Sequence, residues 1–455
     1  MIDLDTLYSN KRTGNSNPTS GSDPRTDFQR DFDRIIFSSS FRRLQNKTQV
    51  FPLPGSVFVH NRLTHSLEVM SVGRSLGNLV GTFIADKFSA DLKPESKLFY
   101  EHNLYNVVAS ACLCHDIGNP AFGHSGEDAI ANFFIKNESD LKSKFNTEQW
   151  ADLINFEGNA NAMRVLTQQQ RGKSEGGMKL TYSTLSAIAK YPCESIASNK
   201  DFIHRKKFGF FQSEKLTFMD IAQDTSMIKD DSNPLTYLRH PFVWLVEAAD
   251  DICYNIIDLE DAHRLGIIEH SQCVDMLKYL IQCIGLDDIS KVDTHLNKLI
   301  DKNDQIAFLR AKSINALIMS AKSVYETHFD EFLNGTFNIP IFDKIREGCD
   351  ALNQISDFSI ENIYNNRKVV EIENAGYNVM YELLSHFIPP IMKTKEDRSK
   401  SEMKAIRLLP PTFNYDGEPV YKRILGVLDY VSGMTDNYAI DLYKRIKGIE
   451  IGMKI

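Results

Sequence analysis

The chain has 455 residues, 42% of them hydrophobic and 25% charged, an ordinary globular composition that excludes a mostly disordered chain. A net charge of −8 excludes a surface that attracts nucleic acid as a whole, although net charge says nothing about local patches. The opening MIDLDTLYSN lacks the apolar run of a signal peptide, and Glu247, Asp250 and Asp251 interrupt the greasiest stretch, so no membrane span is expected.

In chain order, residues 10–24 are polar and rich in Gly, Pro and Ser, and are expected to form a mobile arm. RDFDRIIFSSSFRRLQ reads as helical and carries a basic cluster at Arg30, Arg34, Arg42 and Arg43. Apolar residues from Leu63 to Phe83 recur at helical spacing. NLYNVVASACLCHDI reads as a helix stopped at Gly118, with Pro120 just beyond, and Ser125 with Asp128 resembles a capping-box start for the next helix. Further helices are expected near 158–171, 181–190, 240–264, 305–328, 361–388 and 420–448, with short strands near FGFF (208–211) and an exposed loop over 393–404. The seven cysteines contain no CxxC pair and predict neither a disulfide framework nor a zinc ribbon. Cys112 and Cys114 read as buried packing residues, and the expected location is cytoplasmic.

Chemistry concentrates where charge interrupts apolar helices. His115 and Asp116 end one such helix, where the last carbonyls favour a cation. His65 lies three residues after Arg62, so the two share a helical face. Asp250 breaks the apolar run WLVEAADDICYNIIDLEDAH, and a buried carboxylate needs a metal or a basic partner. Singly, each is as well read as a capped helix end or a solvated acid. Together, His65, His115, Asp116 and Asp250 would form a mixed imidazole–carboxylate site, compatible with Mn²⁺, Mg²⁺, Fe²⁺, Ni²⁺ or Zn²⁺. Asp250, Tyr254 and Asp258 form one stripe at i, i+4 and i+8, which also suits a plain amphipathic helix. His124 and Glu127, three apart at a helix start, suit proton transfer beside a phosphate, or equally a cap histidine with a first-turn acid.

RDFDRIIFSSSFRRLQNKTQVF, NRLTHSLEV, HDIGNPAFGHSGE, FEGNANAMRVL, the AKYP lysine and tyrosine, KKFGFFQSE, EAADDICYNIIDLEDA and DYVSGMTDNYA together resemble the deoxyguanosinetriphosphate triphosphohydrolase family of the HD-domain superfamily. The blocks keep their order across residues 30–440. The resemblance implies an all-α HD-domain helical bundle with an additional C-terminal helical domain, and hydrolysis of a dNTP, dGTP first, to deoxynucleoside and triphosphate. It implies His65, His115, Asp116 and Asp250 as ligands of a divalent metal, manganese or magnesium first, with iron, nickel or zinc also compatible. It implies His124 with Glu127 as the acid/base pair, Gln49 at the sugar 3′ end and Arg62 on phosphate. Lys190 and Tyr254 resemble phosphate- and sugar-side contacts, and Asp258 the carboxylate that meets the 3′-hydroxyl. Asp251 departs from a phosphate-binding lysine of a more distant member, Asn161 from a glutamine, and Gly158 from a histidine of broad-specificity members. Glu373 and Arg423 fall in weaker C-terminal blocks.

The expected organisation is an N-terminal arm and basic helix over 1–60, the HD phosphohydrolase domain over 61–262, a helical connecting segment over 263–350 and the HD-associated helical domain over 351–455. The family further implies a homo-oligomer of four or six chains and contact with single-stranded DNA. Two rivals stay open on sequence: a hydrolase of another nucleotide phosphoester, and a non-catalytic nucleic-acid-binding protein that uses the arginines of 30–43.

Overall fold

A computed structural model describes residues 3–14, 24–51, 59–169, 172, 175–231 and 234–450. Three long helices set its frame: Arg62–Lys87, Leu104–Cys114 and Val243–Arg264. Leu104–Cys114 is apolar on nearly every face, and nine of its residues, from Leu104 to Cys114, are buried, as a helix at the centre of a bundle requires. Gly73, Gly77 and Gly81 lie in a row on Arg62–Lys87 and let that helix come close. A Cβ there would stand 2.3 Å from Cys112 Sγ, 2.8 Å from Tyr105 Cα and 2.2 Å from the Tyr100 carbonyl oxygen, respectively. The close contact brings the first turn of Arg62–Lys87, started by an Asn61–Thr64 capping box, beside the end of Leu104–Cys114.

The fold is all-α, as expected. Among the described residues the only sheet is one antiparallel pair, Lys229–Asp230 with Thr236–Tyr237, and no helix is long and apolar enough to cross a membrane. Residues 263–350 form further helices, of which Lys302–Thr327 sends Leu309, Leu317 and Tyr325 into the main core. A second core joins the Gly123–Lys136 helix, through Phe133 and Phe134, to Leu383, Phe387, Leu425 and Leu428 on Arg367–Met392 and Val420–Ser432.

Several expectations are corrected. Residues 10–14 are anchored, because Arg12 is buried and its guanidinium meets Asp31 at 2.6 Å and Asp27 at 3.1 Å; residues 15–23 of the expected arm lie outside the described residues. FGFF forms no strand. Phe210 packs in the main core and Phe208 and Phe211 in the second, so successive side chains serve two cores instead of one ladder. Ser125 does not cap a helix, since Gly123–Lys136 begins two residues earlier, after a left-handed Phe122 (φ 62°). The 393–404 loop is partly helix, Lys400–Arg407, nucleated by a Ser399–Glu402 capping box. The region 420–448 is two helices, Val420–Ser432 and Asp436–Ile446, separated at Gly433 and restarted by the Thr435 cap. Cys283 and Cys349 are joined by a disulfide, their Cα atoms 5.6 Å apart, and Cys112 and Cys114 are buried and free.

Candidate active site

A cavity of about 460 Å³ opens where the three frame helices meet, lined by Gln49, Arg62, His115, Asp116, His124, Glu127, Lys190, Asp250 and Tyr254, among others. At its floor, ligand-type atoms of His65, His115 and Asp116 lie within 4.8 Å of one another. Asp250 Oδ1 joins them, 3.1 Å from His65 Nε2 and 3.6 Å from His115 Nε2. Each comes from a different place in the frame: His65 from the first turn of Arg62–Lys87, His115 and Asp116 from just beyond Cys114, Asp250 from Val243–Arg264.

His115 is oriented by its own helix. Its Nδ1–H donates to the Cys112 carbonyl at 2.7 Å, which fixes the tautomer and leaves the Nε2 lone pair directed away. That Nε2 is buried without a hydrogen-bond partner, 3.6 Å from both Asp116 Oδ2 and Asp250 Oδ1. An orphaned imidazole nitrogen between two carboxylates fits a divalent cation, and the mixed N/O donor set suits first-row metals and magnesium. Burial alone would raise both carboxyls. The His115 and His65 imidazoles hold Asp250 well below the usual range, and Arg62, with those histidines, lowers Asp116. Arg62 reaches Asp116 at 2.6 Å, and the Asn119 amide holds the other Asp116 oxygen.

His124 stands on the cavity rim with 83% of its side chain exposed, and its Nδ1 donates to Glu127 Oε2 at 3.1 Å. That bond raises the imidazole above its ordinary value, against the partial desolvation of the crowded cavity rim. Glu127 is itself fixed, its Oε1 accepting the Gly158 N–H at 2.9 Å. Gly158 has no room for a side chain, since a Cβ would stand 2.5 Å from Glu127 Oε1 and 2.2 Å from Asn119 Oδ1. The Phe122 turn that precedes His124 is left-handed at a bulky residue, a conformation that costs about 1–3 kcal/mol and persists only where the surroundings hold it.

The other expected residues are distributed around this floor. Lys190 Nζ lies 3.2 Å from Glu247, which Arg239 also holds at 2.8 Å. Burial would lower this ammonium, but Glu247, with Tyr191, Asp251 and Asp250, outweighs it and keeps the lysine charged. Gln49 lines the cavity with its Oε1 buried and unpartnered. Tyr254 stacks on Tyr364, ring centres 5.3 Å apart. Asp258 is buried behind that pair and does not line the cavity; its Oδ2 accepts the Tyr364 hydroxyl at 2.9 Å, and burial pushes its carboxyl up to about 8. Asp251 also stands off the cavity wall, while Glu373 lines it. Arg423 is directed elsewhere, donating to the Ile391 and Lys393 carbonyls. Asn161, the departure from glutamine, donates to the Gly118 carbonyl and sits beneath the site.

Sequence reasoning missed Tyr364, Asn119 and Lys207. Tyr364 ends a π-helical turn, Ser359–Tyr364, which carries no 3.6-residue signal. Asn119 and Lys207 stand inside quoted motif blocks, and only the fold shows Lys207 Nζ at 2.8 Å from Glu157 and 3.9 Å from Glu127 on the cavity wall.

A family model described as a phosphohydrolase-associated domain matches residues 346–445. The chain is 35% identical to a deoxyguanosinetriphosphate triphosphohydrolase-like protein of Synechocystis, over 98% of this chain and 99% of the relative. A like-named protein of Listeria monocytogenes is 33% identical over the same shares. A deoxyguanosinetriphosphate triphosphohydrolase of Yersinia pestis is 28% identical over 93% of this chain and 94% of the relative.

Proposed function

Because the chain belongs to the deoxyguanosinetriphosphate triphosphohydrolase family of all-α HD-type hydrolases, we propose that it hydrolyses deoxynucleoside triphosphates, dGTP first, to deoxynucleoside and inorganic triphosphate in a metal-dependent reaction. The observation that carries this reading is the buried, unpartnered His115 Nε2 between Asp116 and Asp250 at the floor of a cavity walled by Arg62, Lys190 and Lys207. A metal floor and three cations suit a polyanion, and Gln49 and the Tyr254–Tyr364 pair supply a polar atom and aromatic faces for a sugar.

In this reading His65, His115, Asp116 and Asp250 would hold the metal, manganese or magnesium first, with iron, nickel or zinc compatible. When bound, the metal would supply Lewis acidity for activating water and polarising phosphate. Arg62 and Lys190 neutralise and orient the triphosphate, and Lys207, beside Glu127, adds a third cation. His124 gives its proton to the departing 5′-oxygen, while Glu127 keeps the ring oriented and protonated. Gln49 and Asp258 recognise the 3′-hydroxyl, Asp258 through or in exchange with the Tyr364 hydroxyl, and Tyr254 packs against the deoxyribose. The C-terminal helical domain, 351–455, contributes Tyr364, Val369, Ile372 and Glu373 to the wall and closes over the nucleotide. A cytoplasmic homo-oligomer of four or six chains that contacts single-stranded DNA completes the reading.

Incubation with each dNTP and Mn²⁺ or Mg²⁺, in heavy-oxygen water, tests it. The expected products are deoxynucleoside and labelled triphosphate. Pyrophosphate or orthophosphate as primary product, or label in the nucleoside, overturns it.

A further inference from the structure

The break between Val420–Ser432 and Asp436–Ile446 sets residues 432–436 behind the cavity wall without lining it. There the Asp436 carboxylate, 3% exposed, receives two backbone N–H groups from distant parts of the chain. Oδ2 accepts Thr48 N–H at 2.8 Å and Oδ1 accepts Phe122 N–H at 3.0 Å. Beside it the buried Lys47 ammonium donates to the Asn119 carbonyl and, at 3.0 Å, to the Ser432 carbonyl. Thr48 precedes Gln49, and Asn119 and Phe122 bracket the turn that leads to His124. Three chain segments therefore converge on one buried carboxylate and one buried lysine amine, and two of those segments carry residues of the proposed site.

The chemistry of the contact is specific. The two backbone donors arrive at different ends of one side chain, and a carboxylate meets both with an oxygen where an amide would turn an NH₂ donor toward one of them. The Phe122 turn is left-handed (φ 62°) and would relax unless held. It is held twice from the C-terminal region. Asp436 takes its N–H, and its ring lies against Gly376, where a Cβ would stand 2.4 Å from Phe122 Cγ.

We propose that Asp436 and Lys47 are positioning residues that set the sugar-side Gln49 segment and the His124 turn in one register, so that sugar recognition and proton transfer are fixed by the C-terminal region. The inference rests on the proposed hydrolase reading for its kinetic consequence, whereas the clamp itself can be measured without activity.

The test compares the full-length wild type with Asp436→Ala and Asp436→Asn. Hydrogen exchange read by mass spectrometry is expected to quicken about tenfold or more in peptides covering 47–51 and 119–124 of Asp436→Ala, and to stay unchanged in 104–114. Asp436→Asn, which keeps the size and one acceptor, is expected to quicken fewer of these amides and serves should the alanine variant not fold. With dGTP and Mn²⁺, kcat of Asp436→Ala is expected to fall by up to about 10²-fold at unchanged metal content. Gln49→Ala should then cost less in that background than in the wild type, because the two act through one register. Unchanged exchange at either segment, a uniform rise in every peptide, or undiminished kcat in an otherwise active enzyme overturns the proposal. A wild type that hydrolyses no dNTP overturns the hydrolase reading instead, and the exchange data then decide the clamp alone.

Discussion

At the scale of single residues, the proposed function assigns metal binding to His115 and proton transfer to His124. His115 has its Nδ1 committed to Cys112 and its Nε2 buried without a partner, so His115→Ala is expected to abolish activity and lower bound metal by elemental analysis. His124 touches Glu127 on the rim. His124→Ala should keep its metal and lose about 10²- to 10⁴-fold in kcat, the usual contribution of acid–base catalysis. Normal kcat, or loss of metal, would make that histidine a cap or a ligand. The pH profile carries the sign. Glu127 raises the imidazole pKa, so the protonated acid persists to higher pH, and activity falls as pH rises through that raised value. Glu127→Gln removes that support, and the alkaline limb should move to lower pH with a smaller loss of kcat than His124→Ala.

At the scale of elements, the Gly158–Thr167 helix meets the site through a residue with no side chain. Gly158→Ala is expected to press Glu127 and Asn119 apart, since its Cβ would fall within 2.5 Å of both. Displacement of about 1 Å can cost 10²-fold, and because Asn119 holds Asp116, metal content should drop along with kcat. Unaltered kinetics and metal would mean that both neighbours yield freely. The long helices were legible because apolar residues recur at roughly helical spacing over long stretches, as from Leu63 to Phe83, although the buried face of Arg62–Lys87 is made largely of small and polar residues. The candidate site on them was legible because His115, Asp116 and Asp250 end or interrupt apolar runs. Boundaries set by a single dihedral or cap were not, as at Phe122, Ser399 and Gly433. Nor was the three-glycine approach of Arg62–Lys87 to Leu104–Cys114, since spacing alone does not say which partner a bare face meets. Tyr364 stayed hidden because its position in the wall depends on a π-turn rather than on a repeat.

At the scale of the whole molecule, Arg164 ties the middle of the chain to its C-terminal part. Its buried guanidinium meets Asp429 at 2.6 Å and Glu214 at 2.8 Å. Arg164→Met strands two buried carboxylates and is expected to lower stability by about 3–5 kcal/mol, read as a shifted denaturation midpoint. Adding Asp429→Asn and Glu214→Gln should recover part of the loss, and an unshifted midpoint in the single variant would mean that water replaces the arginine. The same arrangement has a consequence in time. The second core pairs Phe133 and Phe134 with Leu383, Phe387, Leu425 and Leu428, contacts that span most of the sequence. On a ribosome, the helices that carry His65, His115 and Asp250 are all synthesised before Leu383 leaves the tunnel, and domains tend to fold from the N-terminal side as they emerge. The Gly123–Lys136 helix must wait with one apolar face uncovered, and His124 with it. Synthesis therefore completes the helices that carry the proposed metal ligands before the second core can cover the helix that begins beside His124.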